Sequence, residues 1–272
     1  MNEMETQSID IKILIATHKH YQMPSDDIYL PVHVGAYGKE SIGYTRDDDG
    51  DNISDRNKNY CELTGLYWAW KNTKSDYLGL VHYRRYFGRK KAFSPLLQKE
   101  KWNRIIDGDY LRKVIEKSSS DNVIILPHKR NYFIETNYSQ YIHAHHVEDL
   151  EVTRQILLEK YPEYMAAYEK VMSSTRGHRF NMFIMKRKLA DEYCQWIFDI
   201  LFELENRLDI SNYSDYDKRV FGFISERLLD VWIEQNQYSY VELPAIYLEK
   251  RSWIKKIFLF VMRKINYQKR EV

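Results

Sequence analysis

The residues best suited to chemistry lie in one stretch, residues 76–87, which reads Asp-Tyr-Leu-Gly-Leu-Val-His-Tyr-Arg-Arg-Tyr-Phe. Its first half is apolar, and its second half is cationic and aromatic. A short apolar run bounded by polar residues predicts a buried strand, and open α/β sheets bind ligands beyond the carboxyl ends of their strands. His82, Arg84 and Arg85 therefore stand where a site is expected. A guanidinium offers a planar fork of donors that matches phosphate oxygens, so the chemistry predicted is the binding of a diphosphate. The competing reading is a basic strand end that is solvated, or paired with acids on a neighbouring loop.

Two other clusters raise the question of a metal. Residues 47–54 read Asp-Asp-Asp-Gly-Asp-Asn-Ile-Ser. A calcium loop of the EF-hand type needs oxygen ligands at alternate places and a distant Glu, and here Gly50 follows three consecutive Asp, so the register fails. Loops rich in Asp, Asn and Ser more often bond their own backbone. His143, His145 and His146 lack partners at zinc spacing. A polar loop ahead of a helix is the favoured reading for them, with hydrogen bonding to a sugar as another. No metal ligands are assigned; a divalent ion is the less favoured alternative. Asn181 sits inside the apolar run 180–185, where a buried amide needs a partner, either a ligand or a neighbouring element. Glu226 and Arg227 fall off the apolar face of a helix predicted over 219–235, as an exposed pair or as the lining of a site.

The elements that would position these groups follow from periodicity. Residues 11–17 are β-branched and apolar and predict a first strand ending in Thr17-His18-Lys19-His20; residues 29–35 predict a second, with Gly35 and Gly38 allowing close backbone approach. Asn59 and Glu62 resemble a capping box opening a helix that carries Leu63, Leu66, Tyr67 and Trp70 on one face. That helix feeds the 76–87 stretch. Residues 122–127 and 180–185 predict further strands, residues 147–161 and 189–208 amphipathic helices, and residues 240–248 a closing strand.

Composition narrows the function. With 272 residues, 44% of them hydrophobic and 29% charged, the chain suits one large domain or two halves sharing a core. A net charge of +2 argues against nucleic acid as a partner. The 23 Tyr and 6 Trp offer flat rings with polar tips that suit sugars as well as cores. Cys61 and Cys194 make neither a disulfide framework nor a zinc motif, as in a reduced cytoplasmic setting. Residues 1–10 are polar, predict disorder and hold no signal-peptide core, and no apolar run of about 18 residues exists to span a membrane. Residues 252–270 alternate apolar bulk with Lys255, Lys256, Arg263, Lys264, Lys269 and Arg270. Such a basic amphipathic helix suits the interface of an anionic membrane; the alternative is a terminal helix docked on the domain. The expected location is cytoplasmic, peripheral on the inner face of the cell membrane.

Taken together, segments 13–19 (Ile-Leu-Ile-Ala-Thr-His-Lys), 30–35 (Leu-Pro-Val-His-Val-Gly), 51–54 (Asp-Asn-Ile-Ser), 61–72 (Cys-Glu-Leu-Thr-Gly-Leu-Tyr-Trp-Ala-Trp-Lys-Asn), 79–87, 180–185 and 219–228 resemble a family of bacterial glycosyltransferases. Its members occur in capsular and exopolysaccharide synthesis, and its domain was long catalogued as of unknown function. The resemblance covers roughly residues 11–250. It implies an α/β, GT-A-like fold with a Rossmann-type mixed sheet flanked by helices. A nucleotide-sugar half would span about 11–130 and an acceptor half about 131–250, with the basic helix 251–272 appended. The implied activity moves a sugar, galactofuranose or another hexose, from a UDP-sugar to a lipid-linked oligosaccharide in capsule, exopolysaccharide or O-antigen synthesis, with inversion as the expected outcome.

One departure stands out. GT-A enzymes typically place an Asp-x-Asp motif, which holds a metal on the donor diphosphate, where this chain carries His82-x-Arg84-Arg85. Cations cannot ligate a cation, so guanidinium groups are expected to neutralise the diphosphate themselves, without a cofactor. The resemblance makes Glu226 the expected base, with Asp217 and Asp51 as alternatives. Thr17, His18, Val34 and Gly35 become nucleotide-pocket residues, and Asn181, His145 and Asn52 sugar or acceptor contacts. A non-catalytic nucleotide- or glycan-binding protein is the main competing function, and a metallohydrolase built on the Asp loop and His cluster a weaker one.

Overall fold

The structure, a computed structural model, describes residues 9–89, 101–118 and 122–249. The basic helix expected over 251–272 and all but the end of the polar terminus 1–10 lie outside the described residues. The chain opens with β1 (Ile11–Thr17), β2 (Tyr29–His33) and the short β3 (Thr45–Arg46). Helices α1 (Asn57–Tyr60) and α2 (Leu63–Asn72) lead to β4 (Tyr77–His82), which turns back as β5 (Arg85–Phe87). After α3 (Gly108–Glu116) come β6 (Ile124–Pro127) and β7 (Arg130–Asn131). Helices α4 (Asn137–Ile142), α5 (Val147–Lys160) and α6 (Met165–Ser173) precede β8 (Arg176–Gly177) and β9 (Phe183–Lys186). The described chain closes with α7 (Arg187–Arg207), α8 (Val220–Asn236), β10 (Tyr240–Leu243) and β11 (Ala245–Tyr247).

Among the described residues the main sheet has nine strands, in the order β10-β6-β9-β4-β1-β2-β3, with β5 on β4 and β11 on β5. Strand β1 is parallel to β2 and β4, whereas β9 is antiparallel to β4 and β6. Both faces are covered, which is why the strands are almost continuously apolar. Leu14, Leu78, Leu80, Ile124 and Phe183 pack against α2, α5, α7 and α8. Ile13, Ile15, Val81, Ile125 and Ile184 pack on the opposite face with Leu111 of α3. Gly79 sits where β-carbons cannot go: one there would lie 2.9 Å from the Ile184 side chain and 3.0 Å from the Phe183 carbonyl. Its lack of a side chain lets β9 join β4 at the middle of the sheet.

Two expectations change. The predicted closing strand is two strands: β10 extends β6 and β11 pairs with β5, with Pro244 between them. Pro244 has no N–H to donate to a ladder, so pairing stops there and the chain crosses to a different neighbour. The helix expected from Asn59 is interrupted at Cys61, whose φ of 54° lies in the left-handed region. No capping box forms, because the Asn59 amide donates to the Lys218 carbonyl instead (2.8 Å).

Candidate active site

The carboxyl ends of β1, β2 and β4 open on one edge of the sheet, because those strands run parallel. There His82 ends β4, Tyr83 and Arg84 make the turn, and Arg85 pairs back on His82 as β5 begins. On the far side, α8 is entered through Arg219, and Arg219, Phe223 and Glu226 share one helix face at spacings of four and three. Between these walls lie two adjoining cavities of about 440 and 380 Å3. Both are lined by Glu62, His82, Tyr83, Arg84 and Arg219, so they form one cleft.

The cleft is cationic with carboxylates set into it. Arg85 lies with its guanidinium carbon 3.7 Å from the Phe180 ring centroid and 5.5 Å from that of Tyr247, in cation–π contact with both. Arg84 meets Glu249 with one nitrogen to both carboxylate oxygens, at 2.9 and 3.1 Å. The Leu248 N–H donates to the Arg84 carbonyl (3.1 Å), so the pairing of β11 on β5 is what delivers Glu249. Arg219 donates from Nε to the Cys61 thiol (3.1 Å). Burial and the adjacent Glu62 carboxylate push that thiol up to about 11, so it stays protonated at neutral pH. The His82 Nε2–H donates to the Phe180 carbonyl (2.6 Å). Burial pulls the His82 pKa down, against the nearby Glu62, and Arg85 lowers it further. The imidazole is therefore neutral at pH 7, and the positive charge of the cleft comes from its guanidiniums and Lys58.

Glu62 is the residue that sequence reasoning passed over, having assigned it to a cap. The break at Cys61 turns it into the cleft, where it accepts from the Asn181 amide (2.8 Å) and lies 3.9 Å from His82 Nε2. Asn181 itself is buried behind Glu62, donating also to the Gly222 carbonyl (3.1 Å) and accepting from the Ser225 hydroxyl (2.9 Å). Glu226 lines the same cavity, 3.7 Å from the buried Arg227. Arg219 was also passed over, although its helical spacing to Phe223 and Glu226 was a usable signal. For Glu249 no signal existed, since only strand pairing brings it near.

The remaining predicted residues divide by place. His82, Arg84, Arg85, Glu226, His18 and Val34 line the cleft. Thr17 is buried at the end of β1 and bonds the Lys19 carbonyl (2.7 Å). Gly35 lies beneath, where a β-carbon would fall 2.4 Å from Asn57 atoms. His145 stacks behind two lining rings, 4.3 Å from Phe223 and 5.7 Å from Tyr216. Asp217 holds His145 (3.3 Å) and the Ser214 hydroxyl (2.7 Å). Asp51 and Asn52 lie off the cleft lining, on the acidic loop. Asp51 accepts from Tyr67, and its backbone is pinned by Asn72; Asn52 bonds Gly50 and Ser54 within the loop.

The acidic loop is built around Asp47. Its buried carboxylate accepts from the N–H groups of Gly35 (2.8 Å) and Ala36 (3.0 Å) and from the hydroxyls of Ser54 (2.5 Å) and Thr64 (2.6 Å). Asp48 is forked on Arg46 at 2.8 and 2.6 Å. These two carboxylates are committed to protein donors. Among the described residues no group of three or more His, Cys, Asp or Glu side chains is disposed to hold a metal ion. At the end of β4 the donor chemistry, one neutral imidazole and two guanidiniums, does not fit a divalent cation.

Comparison with known proteins agrees with this architecture. The family described as "Domain of unknown function (DUF4422)" matches residues 12–237. No protein of curated description matches the chain. A solved structure described as the apo form of the WbbM bifunctional glycosyltransferase superposes with a TM-score of 0.81 at 31% identity over 89% of this chain. The match takes in 46% of that protein, so the present chain spans about half its length. The shared architecture, a mixed sheet flanked by helices, is GT-A-like.

Proposed function

The chain belongs to the family described as a domain of unknown function, DUF4422, and from that footing we propose that it is a glycosyltransferase using a UDP-sugar donor. One observation carries the reading. Arg84, Arg85 and Arg219 converge with the carboxylates Glu62 and Glu226 on one cleft at the carboxyl edge of a GT-A-like sheet. Guanidiniums fixed there before the reaction stabilise the negative charge that develops on the leaving diphosphate, the work that a divalent metal does elsewhere. In an inverting displacement the acceptor hydroxyl oxygen bonds to the anomeric carbon as the bond from that carbon to the phosphate oxygen breaks. UDP leaves with the electron pair, and the hydroxyl proton passes to a carboxylate. We assign that base to Glu226, on the helix wall. Glu62, fixed by Asn181 beside His82, orders the floor between the two cavities. His18 and Val34 flank the nucleotide, with Thr17 and Gly35 supporting them.

The acceptor in this reading is a lipid-linked glycan of capsule, exopolysaccharide or O-antigen synthesis, the sugar a hexose such as galactofuranose, and the enzyme cytoplasmic and membrane-peripheral. Sequence pattern alone supports residues 252–270 as one membrane contact; deleting 252–272 should weaken vesicle binding, and unchanged partitioning would remove that role. The decisive experiment offers the purified protein a panel of UDP-sugars and follows UDP release. Slow hydrolysis of one donor, abolished by Glu226→Gln while UDP still binds, is the expected result. Binding without turnover across the panel would indicate a non-catalytic nucleotide- or glycan-binding protein instead.

A further inference from the structure

The two-stranded ribbon β7–β8 projects from the sheet edge that carries the cleft, because β6, which feeds it, is parallel in direction to β4. Its tip is unusual. Phe133 and Ile134 are adjacent and 80% and 73% exposed. Phe133 has a φ of 61°, a left-handed conformation that a bulky residue rarely adopts. The turn is closed by the Ile134 N–H donating to the Tyr132 carbonyl (2.7 Å) and by the Asn131 side chain accepting from the Phe133 N–H (2.8 Å). Strained backbone persists where surrounding structure over-determines it, commonly for function. Here it holds two large apolar side chains out in water.

The ribbon's base is firm: the His178 ring and N–H both bond the Asp230 carboxylate of α8. Arg130 and Arg176 stand on the ribbon just before the turn, and Lys129 at its base, all exposed. None of them forms an ion pair among the described residues, while the nearby acids are engaged, Glu135 by His143 and Glu242 by His178 and His128. Lys129 is braced on the Tyr240 hydroxyl (2.8 Å) and Arg130 on the Tyr132 ring. A narrow apolar wedge above cations that form no ion pair among the described residues is complementary to an anionic bilayer, in which apolar groups enter the acyl boundary and cations meet headgroups. A partner protein would offer a broader apolar surface to match.

We propose that the Phe133–Ile134 tip inserts into anionic membrane and that Lys129, Arg130 and Arg176 seat on its headgroups, turning the cleft edge of the sheet toward the bilayer. The proposal depends neither on residues 252–270 nor on glycosyl transfer. To test it, the full chain carrying F133C is labelled with an environment-sensitive fluorophore and mixed with phosphatidylcholine vesicles with or without phosphatidylglycerol. The same label at L158C, exposed on α5, serves as control. The label at 133 should shift to the blue and brighten on anionic vesicles only, and the label at 158 should not. Phe133→Ser with Ile134→Ser should weaken vesicle partitioning by about tenfold or more. Changing Lys129, Arg130 and Arg176 together to Ser should weaken it on the order of a hundredfold. The proposal is overturned if the full chain does not bind anionic vesicles. An unshifted label at 133 on vesicle-bound protein would also overturn it, as would self-association that the tip variants abolish while vesicle binding is unchanged.

Discussion

The Arg84–Glu249 pair gives a test in which two neighbours must act with opposite signs. The donor diphosphate and the Glu249 carboxylate compete for one guanidinium. Both partners are half-exposed, at 45% and 50% of their side-chain surface, so solvent screens the pair and it contributes only about 0.2–1 kcal/mol. Glu249→Gln releases Arg84 and should tighten UDP by about 1.4- to 5-fold. Arg84→Ala instead removes charge-assisted hydrogen bonds to phosphate, each about 1.5–3 kcal/mol, so UDP should bind about 10- to 150-fold more weakly. In the double variant the benefit of Glu249→Gln should largely disappear, because no guanidinium remains to be released. Isothermal titration with UDP at low and moderate salt measures all four proteins, and thermal melts should show little change from the Glu249 substitution. UDP affinity unchanged by Arg84→Ala would refute the diphosphate role. Weaker UDP binding in Glu249→Gln would refute the competition, since it would make Glu249 a ligand-supporting group.

Other consequences are read with simpler measurements. Transfer or donor hydrolysis should survive EDTA, and complete loss restored by added metal would count against guanidiniums in the metal's place. Asp47→Ala leaves the Gly35 and Ala36 N–H groups and the Ser54 hydroxyl without their acceptor, while the Thr64 hydroxyl keeps the Cys61 carbonyl; at about 1–3 kcal/mol for each orphaned donor, urea unfolding should show a loss of at least about 3 kcal/mol, and a loss below about 1 kcal/mol would contradict the carboxylate's structural role. The His82 pKa lies below its unfolded value of about 6.5, so the unfolded chain binds more protons in that window. The contribution is full above about pH 6.5 and is lost as pH falls toward the folded pKa. His82→Asn should therefore flatten part of the drop in urea midpoint between neutral and mildly acidic pH, the rest belonging to His18 and His33, whose pKa values burial also lowers. An unaltered slope in that variant would remove His82 from the account.

Much of the scaffold is legible in the sequence because it is local. Continuous apolar runs mark β1, β4 and β6, and helical spacing marks α7 and α8. The polar strand ends place His82, Arg84 and Arg85 at the edge that carries the cleft, because that edge is a consequence of parallel pairing. The pieces that resist reading depend on contacts distant in sequence. Glu249 reaches Arg84 across 165 positions through β11, whose separate existence turns on a proline. His145 has the residue type of a ligand, yet the structure wraps it in Tyr141, Phe223 and Tyr216. The acidic loop has the composition of a metal site, but Asp47 is enclosed by four donors from residues 35, 36, 54 and 64, a closure that no spacing rule announces.

The place of Glu62, which the sequence suggests as a cap, and the partner of Asn181, which the sequence leaves open, share a cause. Glu62 enters the cleft, and Asn181 is set behind it, through backbone at positive φ: Cys61 at 54° immediately before Glu62, and Phe180 and Asn181 at 82° and 52° ahead of β9. Such residues cost about 1–3 kcal/mol each, and pattern reading assumes that the cheaper backbone wins. The cost is offset where the two distortions meet, in the hydrogen bond that Asn181 donates to Glu62, in the one it donates to the Gly222 carbonyl and in the one it accepts from the Ser225 hydroxyl of α8. The same turn at Phe180 presents its carbonyl to His82 and its ring to Arg85. Two kinks 119 positions apart thus hold one carboxylate, one imidazole and one guanidinium in register with the helix that carries Glu226. The sequence hides this part of the site because its geometry is paid for by tertiary contacts, and those contacts are the ones that fix the cleft.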